Sequence, residues 1–270
     1  MPIPSIDELE SMYVHDFYQK IKPDYIKKDE SELPFWNITF DDKLDTIEQK
    51  IRKKNKNILD VGCGAGFFLQ RAKKRGWNVT GIEPSIQAVE YAQSRGFNVI
   101  KTIFESYYKS TNDKFDSIHL NFVLEHTRDA TNICESCFNL LKPKGVICVE
   151  VPNDFNMLQH IVLKKSKKPP YWIDREHVNY FSFDSLANLL KKTGFHPYYV
   201  ESTFPLEMFM LFGLNYLNNE KIGQKIHSMR MNFEMTLSST NHNSLKRKLY
   251  AYFAKQGLGR AIIMYAQKMP

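Results

Sequence analysis

The sequence predicts an α/β domain built on a mostly parallel sheet with helices on both faces. Three observations carry that prediction. Between residues 57 and 152, short apolar runs alternate with helical segments, the rhythm of consecutive strand-helix-strand units. The apolar runs are near-continuous, as strands are when both faces of a parallel sheet are covered. The first run leads directly into three glycines, Gly62, Gly64 and Gly66, and then into a helix.

Taken in order, residues 6–21 carry Leu9, Met12, Tyr13, Phe17 and Tyr18 at helical spacing. Residues 24–37, with Pro34-Phe35-Trp36, read as irregular. Strands are expected at 57–61, 78–82, 98–102, 117–121 and 146–151, with helices near 66–75, 85–95 and 130–141. A basic, linker-like stretch follows Asn153 and ends in Lys168-Pro169-Pro170. A helix over 184–192 is closed by Gly194 as its C-terminal cap. Residues 200–270 read as mostly helical and aromatic-rich. Three parts result: an N-terminal helical cap (1–50), a core (51–205), and a C-terminal helical elaboration (206–270) that returns to the last strand.

Composition excludes several classes. The 270 residues are 43% hydrophobic and 25% charged, ordinary for a globular protein. The most apolar C-terminal stretch, 204–217, is too short to span a bilayer and carries Glu207. The N-terminus has no basic region followed by an apolar core, so a cytoplasmic location without membrane insertion is expected. Four cysteines are too few for a disulfide framework. Cys134 and Cys137 form a CxxC, but no second pair completes a zinc site. At i and i+3, continuous with Leu140 and Leu141, they read as the buried face of a helix, and no metal is expected. The net charge is +7 and the pI near 9.0, yet the basic residues are spread along the chain in short runs. Nucleic acid is therefore not the expected partner, whereas a small anionic acceptor would profit from the same field.

The chemistry concentrates at the glycine turn. Asp60 ends the first strand two residues before Gly62, giving Asp60-Val-Gly-Cys-Gly-Ala-Gly66. Glycines there permit a tight strand-to-helix turn and a close backbone approach to a ligand. The helix N-terminus beyond offers free N–H groups. The GxGxG spacing differs from the GxGxxG of dinucleotide enzymes, which disfavours a dehydrogenase. Glu83 ends the next strand in Gly81-Ile-Glu-Pro-Ser85, 17 residues after Gly66, where a carboxylate can accept both hydroxyls of a ribose.

These two segments resemble motifs I and II of the class I S-adenosylmethionine-dependent methyltransferases, of the type that includes ubiquinone-pathway and sugar methyltransferases. The segment from Phe115 to His126 (FDSIHLNFVLEH) is similar to that family's strand-4 motif. The segment from Leu140 to Asn153 (LLKPKGVICVEVPN) is similar to its strand-5 motif. The resemblance implies a Rossmann-like seven-stranded sheet ending in an antiparallel hairpin, with the last strands near 198–201 and 261–266. It implies S-adenosylmethionine as cofactor and S-adenosylhomocysteine as product. Asp60, Gly62, Cys63, Gly64 and Gly66 would line the methionine and ribose portions, with Glu83 and Pro84 at the ribose. Asn121 and Phe122 would lie beneath the sulfonium. Many relatives place an acidic residue after strand 3 to read the adenine; here Ile103 and Phe104 stand there and would pack against it.

Acceptor chemistry falls on the stretch from Tyr171 to Ser182 (YWIDREHVNYFS), which resembles the Glu-His-x-x-Tyr-Phe-Ser segment of sugar C-methyltransferases. On that likeness His177 is the general base, Glu176 orients or assists it, and Arg175 and Tyr180 meet the acceptor. A loop-fixing role for His177 is the alternative. His126 lies within reach of the same site or starts the next helix. Tyr13 would close over the site from the N-terminal helix. The expected reaction is O- or C-methylation of a sugar, a nucleotide-sugar or a related cell-surface polysaccharide precursor. An RNA or protein methyltransferase is a second reading, against which stand the lack of an RNA-binding module and of an Asn/Asp-Pro-Pro-Tyr motif. A non-catalytic cofactor-binding scaffold is a third. Neither the acceptor nor the oligomeric state is written in the sequence.

Overall fold

The computed structural model describes residues 24–167, 170, 171, 173 and 176–269. Seven strands form one sheet in the order β3-β2-β1-β4-β5-β7-β6. They are β1 (Lys56–Val61), β2 (Trp77–Glu83), β3 (Val99–Lys101), β4 (Phe115–Asn121), β5 (Leu141–Pro152), β6 (Phe195–Ser202) and β7 (Ala261–Lys268). The first five pair in parallel, and β7 runs antiparallel to both β5 and β6. The Rossmann-like sheet and its terminal hairpin are thus as the sequence implies. Every residue of β4 but the last is buried, as is the run from Gly145 to Pro152 in β5, which is why these strands read as unbroken apolar text.

Helices cover both faces. Preceding the sheet are α1 (Tyr25–Ser31) and α2 (Leu33–Glu48). Between strands lie α3 (Phe67–Lys74), α4 (Ile86–Ser94), α5 (Phe104–Ser110), α6 (Ala130–Leu140), α7 (Met157–Ser166) and α8 (Phe183–Lys192). Then α9 (Glu207–Leu211), α10 (Glu220–Ser239) and α11 (Asn243–Lys255) connect β6 to β7. Cys134 and Cys137 lie on the inner face of α6 with Ile133 and Leu140, in the main core with Ile118 and Leu120 of β4. They are packing residues, as their spacing indicates.

Three stretches differ from the sequence reading. Residues 24–37 are largely helical, because Pro34 falls in the first turn of α2, where its missing N–H costs nothing. The linker-like stretch after Asn153 contains α7, started by a capping box in which Asn156 and Gln159 satisfy each other's backbone N–H. Ile103 caps α5 and Phe104 opens it, a helix absent from the sequence reading. The helix expected over 6–21 lies outside the described residues, as does Tyr13.

Among the described residues, no helix is long and apolar enough to cross a membrane. The order of strands reverses between β1 and β4, opening a crevice at their carboxyl ends where such sheets bind ligands. The candidate functional side chains gather around that crevice.

Candidate functional site

At the carboxyl end of β1 the chain turns through Gly62 at φ +67, Gly64 at φ +51 and Gly66 at φ +78. All three values lie in the left-handed region, which is open to glycine and strained for other residues. At Gly62 space is also closed, since a Cβ would stand 3.0 Å from Val123 Cγ2. The turn therefore brings bare backbone to the crevice. Gly66 then caps α3, whose first N–H groups face the same way.

Glu83 ends β2 beside this turn. One carboxylate oxygen accepts the Gly64 N–H at 2.9 Å and the other accepts the Ser85 N–H at 3.0 Å. Each oxygen keeps a lone pair for a ligand, which suits the two hydroxyls of a ribose. Burial raises the Glu83 carboxyl to about 7, against the lowering effect of its two backbone donors. Asp60 is bound differently. Its Oδ1 lies 2.7 Å from His119 Nδ1, inside the sheet.

That contact belongs to a buried relay that no sequence motif announces. His119 Nε2 lies 3.2 Å from Lys43 Nζ, which also donates to Asn121 Oδ1 at 2.7 Å and pairs with Glu150 at 2.6 Å. The Lys43 side chain is 1% exposed. Burial first, and the Lys43 charge second, push His119 below the usual histidine range, so it accepts from Lys43 as a neutral ring. Helix α2 is therefore pinned to the strand ends by a desolvated cation. One signal for it is present: Phe40, Lys43, Leu44 and Ile47 share one helical stripe, and a lysine on an apolar stripe needs a partner inside.

Asn121 ends β4, and Phe122 follows with φ +54, donating its N–H to the Glu150 carbonyl at 2.9 Å. The expected cofactor-side residues Asp60, Gly62, Cys63, Gly64, Glu83, Pro84, Ile103, Phe104, Asn121 and Phe122 all line one cavity of about 730 Å³. Gly66 stands behind the turn as the cap of α3.

The acceptor-side residues divide. His126 and His177 come together, their ring centroids 4.8 Å apart in an edge-on arrangement. His126 Nδ1 donates to the Glu176 carbonyl at 3.1 Å, which leaves its Nε2 3.8 Å from the Glu125 carboxylate. The loop is clamped to the strand-4 turn, because Val178 and Asn179 both donate their N–H to the Glu125 carbonyl, at 2.8 and 3.0 Å. The carboxylate set against the histidines is thus Glu125, whereas Glu176 contributes its backbone. Glu125 is 1% exposed, neither of its oxygens has a hydrogen-bond partner among the described residues, and burial drives its carboxyl well above the ordinary range. In the sequence it is legible only as part of the Leu-Glu-His wording. Tyr180 is turned away, its ring 5.5 Å from Phe155 and outside the cavity lining. Arg175 and Tyr13 lie outside the described residues.

Far from the glycine turn, α10, α11 and the end of β6 close the cavity. Arg247 of α11 donates through Nε and Nη2 to Glu201 and through Nη1 to the Asp42 carbonyl at 3.0 Å. Arg230 and Glu234 of α10, Tyr250 of α11 and Phe35, Trp36 and Thr39 of α2 line the same cavity, with the Arg230 guanidinium carbon 5.0 Å from the Phe35 ring.

Comparison with known proteins gives a consistent picture. Residues 37–200 match the family described as a methyltransferase domain. The chain is 38% identical over 116 residues to a ubiquinone biosynthesis O-methyltransferase of Actinobacillus pleuropneumoniae serotype 7 (strain AP76), covering 39% of this chain and 50% of that protein. It spans about half the length of the curated relatives it matches. Among solved structures, a SAM dependent methyltransferase from Archaeoglobus fulgidus is similar with a TM-score of 0.58 at 17% identity, covering 90% of this chain and 99% of that one. The plantazolicin methyltransferase BamL, in complex with a triazolic desmethylPZN analog and SAH, reaches a TM-score of 0.61 at 15% identity over 97% of this chain and 94% of its own. At these identities the two structures share the fold.

Proposed function

The chain belongs to the methyltransferase-domain family, and on that premise we propose that it transfers a methyl group from S-adenosylmethionine to an oxygen or carbon of a small, hydroxyl-rich acceptor. The observation that carries this is Glu83 beside the glycine turn: a buried carboxylate with one lone pair free on each oxygen, next to backbone without Cβ atoms. That arrangement fits an adenosyl cofactor, with Gly62 to Gly64 along its amino-acid portion, Glu83 at its ribose, and Ile103 and Phe104 against its base. The bound cofactor supplies an electrophilic methyl carbon.

The chain's own residues align and deprotonate. Asn121, held by Lys43, and Phe122, held by Glu150, are fixed in place and would hold the methyl-donating end of the cofactor, so that binding would align the acceptor for in-line attack. His177, packed on His126, takes the acceptor proton. Glu125, 3.8 Å from His126 Nε2 and held protonated by burial, gives up its proton more readily as positive charge gathers on the neighbouring imidazoles.

The curated relatives are named for ubiquinone biosynthesis, not for polysaccharide assembly. What supports a sugar-like acceptor is the Glu176-His177 wording and the polar far wall of the cavity, where Arg230, Glu234, Arg247 and Glu201 suit a hydroxylated molecule better than a hydrocarbon tail.

Calorimetric titration of S-adenosylhomocysteine, with NAD as control, tests the cofactor. Binding of the former alone is expected, and binding of NAD alone overturns the reading. Replacing His177 with alanine is expected to leave that affinity unchanged while lowering kcat about 10²- to 10⁴-fold; unchanged turnover removes His177 from the mechanism.

A further inference from the structure

The far end of the cavity contains two guanidinium groups, and they differ in what occupies them. Arg247 is fully engaged by Glu201, the Asp42 carbonyl and, at 2.6 Å, Thr46 Oγ1. Arg230 is not. Its contacts among the described residues are the Phe35 ring, 5.0 Å from its guanidinium carbon, and Glu234, 3.4 Å from its Nε without a hydrogen bond. The side chain is nonetheless only 14% exposed. A planar cation is therefore held over an aromatic ring, its terminal nitrogens without a hydrogen bond among the described residues, and the residue lines the cavity.

Two more donors stand in the same wall. Trp36 and Thr39 line the cavity, and their Nε1 and Oγ1 atoms are buried with no hydrogen-bond partner among the described residues. They lie one helical turn apart on α2, directly after Phe35. A buried donor left unpaired carries its full desolvation cost, so three in one wall argue for a ligand that brings acceptor oxygens. A guanidinium fork with free Nη atoms fits two coplanar oxygens bearing negative charge. Charge balance narrows the group. Arg247 is neutralised by Glu201, and among the described residues Arg230 is the guanidinium left in that wall, with Glu234 beside it. Arg230 thus brings a single positive charge, loosely paired with Glu234, which matches a singly charged group better than a doubly charged one. Glu234 competes only weakly for Arg230, since the two are loosely aligned and burial raises the Glu234 carboxyl above its ordinary range.

We propose that this wall is the acid-recognition end of the acceptor site, and that the methyl acceptor carries a carboxylate gripped by Arg230 with Trp36 Nε1 and Thr39 Oγ1 on its outer oxygens. For a sugar this means a uronic-acid type. The inference rests on the methyl-transfer reading above and specifies its substrate class.

The test uses the full-length protein saturated with S-adenosylhomocysteine, titrated with glucuronate, galacturonate and 3,4-dihydroxybenzoate, with the corresponding primary amides, and with inorganic phosphate. At least one acid is expected to bind about tenfold or more tightly than its amide. Arg230→Gln is expected to abolish that preference, Arg230→Lys to retain part of it, and Trp36→Phe to weaken acid binding a few-fold, all with S-adenosylhomocysteine affinity unchanged. Should Arg230→Gln fail to fold, the other two variants decide. Acids binding no better than amides, or not at all, overturns the inference. Phosphate competing ahead of every acid also overturns it, in favour of a phosphorylated acceptor. Failure of S-adenosylhomocysteine to bind the wild-type protein sinks the methyl-transfer reading instead, so the two failures are told apart.

Discussion

The two ends of the cavity are built on opposite principles. The end at β1 and β2 is local and made of backbone: Gly62, Gly64 and Glu83 fall within 22 consecutive residues, and their mutual contact is an N–H on a carboxylate. The far end is assembled from side chains remote in sequence. His227 lies 3.0 Å from Glu32 across 195 positions, and Asn243 donates to Asp42 across 201. The first end holds whatever shape its turn dictates, and the second holds only while α2, α10 and α11 stay docked. A backbone cradle recognises a common cofactor, and a side-chain wall can be rewritten for each acceptor without disturbing it.

The comparison is broken most severely from the backbone side. Gly62→Val would demand φ +67 of a β-branched residue and press its Cβ to 3.0 Å from Val123. S-adenosylhomocysteine binding is expected to fall below detection by calorimetry, while the circular dichroism spectrum stays that of a folded α/β protein. Retained affinity would mean that the turn is not the cradle. A smaller effect, on stability rather than binding, is expected from Lys43→Met. It leaves Glu150 buried and unpaired and should cost about 3–5 kcal/mol in urea unfolding. A loss near zero would make α2 a detachable cover and erase the distinction between a pinned and a docked wall.

The mildest test sharpens the first end alone. Glu83 titrates near 7 in the folded protein, above its ordinary value, because burial disfavours the charged form. The folded protein therefore binds a proton more readily than the unfolded chain between about pH 4.5 and 7, and this group's contribution to stability falls as pH rises through that window. Ligand affinity moves the other way, since the ionised form offers acceptors to both ribose hydroxyls. S-adenosylhomocysteine affinity should weaken by about tenfold per unit as pH drops below 7, and Glu83→Gln should flatten that dependence. An unaltered profile in the variant would move the titration to another group.

Legibility in the sequence follows the same division. The glycine turn, Glu83 and the strand-4 wording can be read because each is a contiguous pattern whose geometry is fixed within a few residues. Cys134 and Cys137 can be assigned to the core from spacing alone. The helical residues 25–37 and the helix over 157–166 escape a reading in which a proline or lysines suggest irregular chain, although Pro34 sits in a first turn and Asn156 supplies a cap. Sequence wording points to Glu176 as the acid beside the histidine, whereas the carboxylate that stands 3.8 Å from His126 is that of Glu125, because which of two acids faces a histidine depends on how a loop folds back on a strand end. Arg230 carries no local signal, since its meaning comes from Phe35 and Trp36, almost 200 residues earlier.

The placement of β7 has a consequence for how the chain is made. This strand sits between β5 and β6, yet it follows β5 by more than a hundred residues. On the ribosome the nascent sheet carries the open edge of β5, one of its most apolar strands, until α9, α10 and α11 have been synthesised and β7 emerges. Such late, long-range pairing is slow and leaves a sticky edge exposed, so yield during expression should depend on slow synthesis and chaperone supply more than the stability of the finished protein would suggest.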